Sequence, residues 1–175
     1  MESVTQFAAY YWRYSLDAYA QVDVQRLCLQ LQDDYQANVN LLLLAGFAGS
    51  CGQAFAAEYW ARIDLALASF NGRYTQRIRR LRRRVQQLAN SHITAAECYQ
   101  QLKTLELKAE QLEQQIIAVS CDNGVRSRPL SHQNCAADKQ ILGNLLAYCA
   151  GWAVVPANAE KLVRELAAAL IQNVK

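Results

Sequence analysis

The 175-residue sequence predicts an all-α fold. The chain contains only two prolines and seven glycines, and several stretches are rich in Ala, Leu, Gln, Glu and Arg, which favour helix over strand. No alternating apolar and polar run bounded by turn residues indicates a strand. With 53% apolar residues the chain can bury a core of full size. We therefore expect a single helical domain over residues 1–175, a bundle of about seven or eight helices that contains a long antiparallel hairpin.

Three helices are predicted in the N-terminal part. The first, from about Val4 to Ala20, carries two apolar stripes, so other helices should cover more than one of its faces. The second has an apolar stripe at helical spacing. Asn38 can cap the third helix, in which Leu41–Leu44 is apolar on all sides and should be buried. The two stripes of the first helix are Phe7, Tyr11, Tyr14, Ala18 and Trp12, Leu16, Tyr19.

The middle of the chain predicts a helical hairpin over about residues 73–119. A fourth helix should stop or bend sharply at Asn71-Gly72, because both residues tolerate a left-handed backbone. Beyond it, apolar residues recur every three and four positions on both sides of a predicted turn at 89–93, which is the spacing of a helix seam. The seam residues are Tyr74, Ile78, Leu81, Val85, Leu88 and Leu102, Leu105, Ala109, Leu112, Ile116.

Seven arginines lie between Arg73 and Arg84, with no Asp or Glu between residues 71 and 96. If facing residues of the hairpin have numbers that sum to about 183, Arg77 lies near Glu106 and Arg73 near Glu110. These two pairs would be structural. The arginines farther along are either paired with carboxylates of another helix or free to bind an outside anion. The carboxylates available on other helices are Asp17, Asp33, Asp34, Glu58 and Asp64. The candidate residues for anion or partner binding are Arg79, Arg80, Arg82, Arg83 and Arg84.

A set of polar and aromatic residues interrupts the apolar pattern of the N-terminal half. Buried polar groups need hydrogen-bond partners, so these side chains either cap helices and bond to one another or line a small-molecule pocket between helices. The possible pocket residues are Trp12, Tyr14, Tyr19, Asp33 and Asn40.

The sequence shows no complete catalytic set, metal site or cofactor motif. Cys121, His132 and Cys135 share a predicted irregular loop at about 120–137, but no Cys-x-x-Cys pair is present. Glu106, Glu110 and Glu113 lie at helical spacing without the Glu-x-x-His motif of di-iron bundles, so salt bridging explains them better than metal binding. We predict no catalytic residue, no metal and no cofactor.

The longest apolar run is too short to span a bilayer, and the N-terminus has no basic segment leading into an apolar one. These features predict a cytoplasmic protein without a membrane partner. The net charge of +3 is modest, so the basic character is local to one helix.

Several motifs together resemble an uncharacterised proteobacterial family of small helical cytoplasmic proteins, a domain of unknown function. The resemblance covers most of the chain up to about residue 118 and, more weakly, 144–170. It implies a bacterial, cytoplasmic, helical protein and carries no activity, cofactor or catalytic residue. The motifs are Trp12-Arg-Tyr-Ser-Leu16, Leu31-Gln-Asp33, Val39-Asn-Leu-Leu-Leu43, Leu81-Arg-Arg-Arg84 and Glu106-Leu-Lys-Ala-Glu110.

Two functions are compatible with the sequence. The first is a non-enzymatic interaction or regulatory protein whose arginine-rich helix docks an acidic protein surface or nucleic acid, although no known nucleic-acid-binding motif is present. The second is a small-molecule-binding or enzymatic helical domain with its pocket in the N-terminal half. The hairpin seam could extend to a helix of another copy, so both a monomer and a homodimer are open.

Overall fold

The computed structural model describes residues 4–121, 135–152 and 156–173. These ranges contain no strand, which confirms the predicted all-α class. The described elements are α1 (Val4–Tyr19), α2 (Val22–Tyr35), α3 (Val39–Ser50), α4 (Ala57–Phe70), the π turn (Asn71–Thr75), α5 (Gln76–Ala89), α6 (Ile93–Ser120), α7 (Cys135–Cys149) and α8 (Ala157–Asn173).

Helix α3 is the centre of the bundle. Every residue from Asn40 to Ser50 is buried, as predicted from the apolar run, because α1, α2, α6 and α7 all pack against it. The predicted cap is also confirmed, since the side-chain oxygen of Asn38 accepts a hydrogen bond from the backbone N–H of Asn40 at 2.8 Å. The backbone N–H of Asn38 itself donates to the Tyr148 hydroxyl at 3.0 Å, which ties the start of α3 to α7.

Helices α3 and α7 approach each other closely at Gly49 of α3. A Cβ atom there would lie 2.5 Å from both the backbone N and the Cα of Ile141 in α7. Only glycine fits this crossing, because backbone atoms cannot move aside as the end of a flexible side chain can. This contact fixes α7 against the central helix.

Helices α5 and α6 form the predicted hairpin, but two details of the prediction are wrong. The chain does not stop at Asn71-Gly72, since α4 continues through the π turn into α5. The predicted seam is buried only in part, because Leu102 and Ala109 are each 8% exposed whereas Leu81, Leu88, Leu105 and Leu112 are each 42–54% exposed. The physical reason is that polar groups of α5 and α6 turn inward against the rest of the bundle, which leaves these four leucines of the seam on the outside.

The two C-terminal helices predicted beyond the loop are present as α7 and α8, which pack against each other. Most of the predicted irregular loop, including His132, lies outside the described residues. Among the described residues, no helix has both the length and the apolarity needed to cross a membrane.

The tight helix crossing predicts opposite effects of two Gly→Ala substitutions. Gly49→Ala should lower the free energy of unfolding by about 1–3 kcal/mol, because the added methyl group overlaps backbone atoms of α7. Gly143→Ala, inside α7 with no atom within 4 Å of the new Cβ, should raise it by about 0.5–1 kcal/mol through helix propensity. Urea denaturation of both variants measures the difference, and equal effects would contradict the close contact.

Candidate functional site

A cleft of about 410 Å³ lies between α1, α2, α3, α5 and α6. It is open to solvent on one side, and its volume falls within the range of small-molecule sites. The helices of the C-terminal part do not contribute to it. The cleft therefore brings together the two alternative sites predicted from the sequence, the arginine-rich helix and the polar residues of the N-terminal half.

One wall of the cleft comes from a single stripe of α1. Trp12, Leu16 and Tyr19 lie on successive turns and all line the cleft, whereas the other predicted stripe of α1, which includes Phe7 and Tyr11, packs into the core. The division follows from helical periodicity, since stripes on different faces must meet different neighbours. The apolar wall continues with Leu29 of α2, Leu43 of α3 and Leu107 of α6.

The opposite side of the cleft is held by ion pairs between α5 and α6. The buried guanidinium group of Arg79 donates from Nε to Glu106 at 2.8 Å and from a terminal nitrogen to Glu110 at 2.8 Å. Arg82 donates from Nε to the other oxygen of Glu106. Glu106 therefore has an arginine on each oxygen, and this pairing supplies the partners that a buried carboxylate needs.

These contacts shift the pKa values of the two carboxyls in opposite directions. Burial tends to raise the pKa of Glu106, but hydrogen bonds from Arg82 and Arg79 outweigh it, so the pKa lies below its ordinary value. Burial raises the pKa of Glu110, and the single partner Arg79 does not compensate for it. Glu110 is thus the carboxyl of the cleft that takes up a proton more readily.

A network of amides continues from the cleft into the bundle. The amide nitrogen of Asn40 donates to Glu113 at 2.9 Å, and Gln114 donates to the side-chain oxygen of Asn40 at 2.9 Å. Asn71 in the π turn donates to the other Glu113 oxygen at 2.8 Å. Glu113 is 1% exposed, and within the described ranges no arginine or lysine pairs with it. Amide groups alone therefore satisfy this buried carboxylate.

One cation of the cleft has no carboxylate partner. Lys103 has no carboxylate within salt-bridge distance among the described residues, and its ammonium lies 5.9 Å from the centre of the Tyr99 ring. The side-chain oxygens of Ser15 and Gln114 are buried without a hydrogen-bond partner in the described part of the chain, but neither is exposed to the cleft. The cleft thus offers a free cation.

Of the five predicted pocket residues, three line the cleft: Trp12, Tyr19 and Asn40. Tyr14 does not, because its ring packs in the core 5.5 Å from that of Phe47, and burial raises its pKa. Asp33 is not among the lining residues either, although it accepts a hydrogen bond from Arg83 at 2.6 Å.

The predicted anion-binding arginines divide into two groups. Arg79, Arg82 and Arg83 line the cleft and each pairs with a carboxylate of the protein. Arg80 and Arg84 are exposed, and within the described ranges neither has a carboxylate partner.

The predicted pairs Arg77–Glu106 and Arg73–Glu110 are wrong, since Arg79 and Arg82 reach Glu106 instead. The arginines that pair with Glu106 lie two and five residues beyond the predicted Arg77, and the arginine that pairs with Glu110 lies six residues beyond the predicted Arg73. The spacing of the seam residues predicts that the two helices pair. It does not predict how far each helix is rotated about its own axis, which depends on the π turn and on the polar network.

Sequence reasoning missed Lys103, Leu107 and Gln114 as cleft residues. All three lie on α6, on the side away from the apolar seam that guided the prediction. A signal was present in Glu113-Gln114, a polar pair close to the apolar Ile116–Ala118, which falls on the buried side of the helix. Within the described ranges, no group of three His, Cys, Asp or Glu side chains is arranged to hold a metal ion.

A family model described as "Protein of unknown function (DUF2390)" matches residues 10–117. The chain belongs to this family. The DUF2390 match runs from α1 to most of α6, so it includes every residue that lines the cleft. Neither the curated proteins nor the solved structures contain a match to the chain. The proteobacterial source suggested by the motifs stays a prediction.

The ion pairs predict that two neighbouring arginines differ sharply in their effect on stability. Arg79→Met leaves Glu110 without its cation, so it should lower the free energy of unfolding by about 3 kcal/mol or more. Arg80→Met changes an exposed side chain and should alter it by less than about 0.5 kcal/mol. Chemical denaturation compares the two variants, and a cost at Arg80 equal to that at Arg79 would contradict the buried pairing.

The two shifted carboxyls predict a pH dependence of stability. Because folding raises the pKa of Glu110, its contribution to the free energy of unfolding increases as the pH falls toward the ordinary carboxyl value of 4.5. Folding lowers the pKa of Glu106, so its contribution is complete above 4.5 and is lost as the pH falls through the folded pKa.

We expect Glu110→Gln to flatten the stability profile above pH 4.5 and Glu106→Gln to flatten it below that value. Urea denaturation at a series of pH values measures both profiles. A Glu110→Gln profile parallel to that of the unchanged protein above this pH would show that the cleft carboxyl does not contribute.

Proposed function

We propose that this protein binds a small amphipathic anion in the cleft, one with an aromatic or aliphatic body and a carboxylate, sulfonate or phosphate group. The observation that carries the proposal is the free ammonium of Lys103 beside the apolar wall of Trp12, Leu16 and Tyr19. A binding site of this kind needs apolar surface for affinity and a few polar groups for orientation.

The apolar body of the ligand can pack against exposed apolar side chains of the cleft. Leu16 is 47% exposed although its neighbours on the core side of α1 are buried, and Leu29 and Leu107 are 38% and 48% exposed. All three line the same cleft. A ligand that covers these side chains removes apolar area from water, which contributes roughly 25 cal/mol per Å².

The anionic group of the ligand has one cation, Lys103, that no described carboxylate neutralises, and a second, Arg83, that keeps N–H donors beyond its ion pair. Arg79 and Arg82 form ion pairs with Glu106 and Glu110. Their N–H donors are therefore largely used within the protein, and their role is to shape the cleft. Lys103 has no such partner, and Arg83 uses only one terminal nitrogen on Asp33. Lys103 and Arg83 are therefore the residues we assign to the ligand's charge.

The proposal is for binding, because an apolar wall beside an unpaired cation accounts for the recognition of a ligand and assigns no reacting group. It replaces docking through Arg79–Arg84 as the leading function, since three of those five arginines already hold carboxylates of the protein. The cytoplasmic location inferred from the sequence stays a prediction.

The proposal is tested by calorimetric titration with 2-naphthoate and its neutral amide, 2-naphthamide. The carboxylate should bind more tightly than the amide. Lys103→Ala should weaken binding of the carboxylate about tenfold, which corresponds to about 1.4 kcal/mol, and leave the amide unchanged. In NMR spectra the indole N–H signal of Trp12 should shift on binding, while that of the buried Trp60 should not.

Lys108→Ala is the matched control, because Lys108 is exposed on the same helix and does not line the cleft. Equal binding of the two compounds, or equal losses in the two lysine variants, would show that the cleft does not select an anion.

A further inference from the structure

The face of the α5–α6 hairpin that lies away from the cleft has an uncovered apolar strip. Leu81 and Leu88 are seven residues apart on α5, and Leu105 and Leu112 are seven residues apart on α6. Because Arg79 and Arg82 both reach Glu106, the turn of α5 that holds Leu81 lies beside the turn of α6 that holds Leu105. All four leucines are 42–54% exposed, and none of them lines the cleft. Repeats of seven are the spacing at which one helix packs along another.

A row of arginines follows this strip on α5. Arg77, Arg80 and Arg84 recur at intervals of three and four, so they lie on one face of the helix. Leu81 is four residues after Arg77 and Leu88 four residues after Arg84, which makes the two rows neighbours. All three arginines are exposed, and none has a carboxylate partner among the described residues.

We propose that this outer face binds an amphipathic α-helix of another protein, with apolar residues at heptad spacing and a row of Asp or Glu along one edge. The leucine strip receives the apolar residues, and Arg77, Arg80 and Arg84 pair with the acidic row. The charge pattern decides between occupants: three free guanidinium groups along one side of an apolar strip are complementary to a helix that is acidic on one side.

A second copy of the chain fits this face less well. Of the four carboxylates of the hairpin, Glu106 and Glu113 are buried and hydrogen-bonded, Glu110 is bound to Arg79, and Glu97 alone is exposed. A symmetric pair of hairpins would therefore bring arginines together with few carboxylates to meet them. Nucleic acid also fits less well, because phosphate contacts make no use of four exposed leucines.

The test is fluorescence anisotropy with a labelled, covalently stapled helical peptide of about three heptads that has Leu at the a and d positions and Glu along one edge. It should bind with a dissociation constant below about 1 mM, while the same peptide with Lys in place of Glu should not. Arg80→Glu combined with Arg84→Glu, and separately Leu81→Ser combined with Leu105→Ser, should each weaken binding at least tenfold.

The matched control is Arg13→Glu combined with Lys139→Glu, which changes the charge equally at exposed sites on α1 and α7 and should leave peptide binding intact. Circular dichroism shows whether each variant keeps its helical content. Three results overturn the proposal: the acidic peptide does not bind; duplex DNA binds instead, with a loss on the arginine changes but none on the leucine changes; or sedimentation shows a dimer that the leucine changes dissociate while the peptide remains unbound.

Discussion

The structure depends most on how the guanidinium group of Arg79 is shared between Glu106 and Glu110. This one buried cation sets the register of α5 against α6, forms the charged side of the cleft and determines which arginines are left outside. A buried ion pair of this kind adds little to the free energy of unfolding compared with an apolar contact, but removing one partner is costly. Its main effect is therefore to select one arrangement of the two helices.

The amide network around Glu113 extends the same constraint to the centre of the bundle. Asn40 belongs to the cap turn of α3, Gln114 to α6, and Asn71 to the π turn, so three separate elements meet at one carboxylate and its neighbours. Polar networks have demanding geometry, because each unsatisfied member costs free energy.

The fold was predictable where a local pattern decides the structure. The apolar run of Leu41–Leu44 indicates a buried helix, and Asn38 indicates its cap, since both depend on neighbours in sequence. The site was predictable only in part. Trp12, Tyr19 and Asn40 stood out as polar or aromatic residues in apolar surroundings, but Lys103 is an ordinary exposed lysine until α1 is placed beside it. The pairing of Arg79 depends on the rotation of α5 about its own axis, which residue spacing does not predict.

The π turn at Asn71–Thr75 accounts for that rotation. A π turn holds one residue more than an α turn, so α5 is turned by about 100° relative to an unbroken helix with the same residues. In such an unbroken helix, Ile78 and Leu81 would come close to the positions that Arg79 and Arg82 now occupy. Conversely, a chain that is one residue shorter in this turn, with a regular helix there, would keep the arginines facing inward. The turn is therefore a place where the length of the chain can differ by one residue while the cleft keeps its shape.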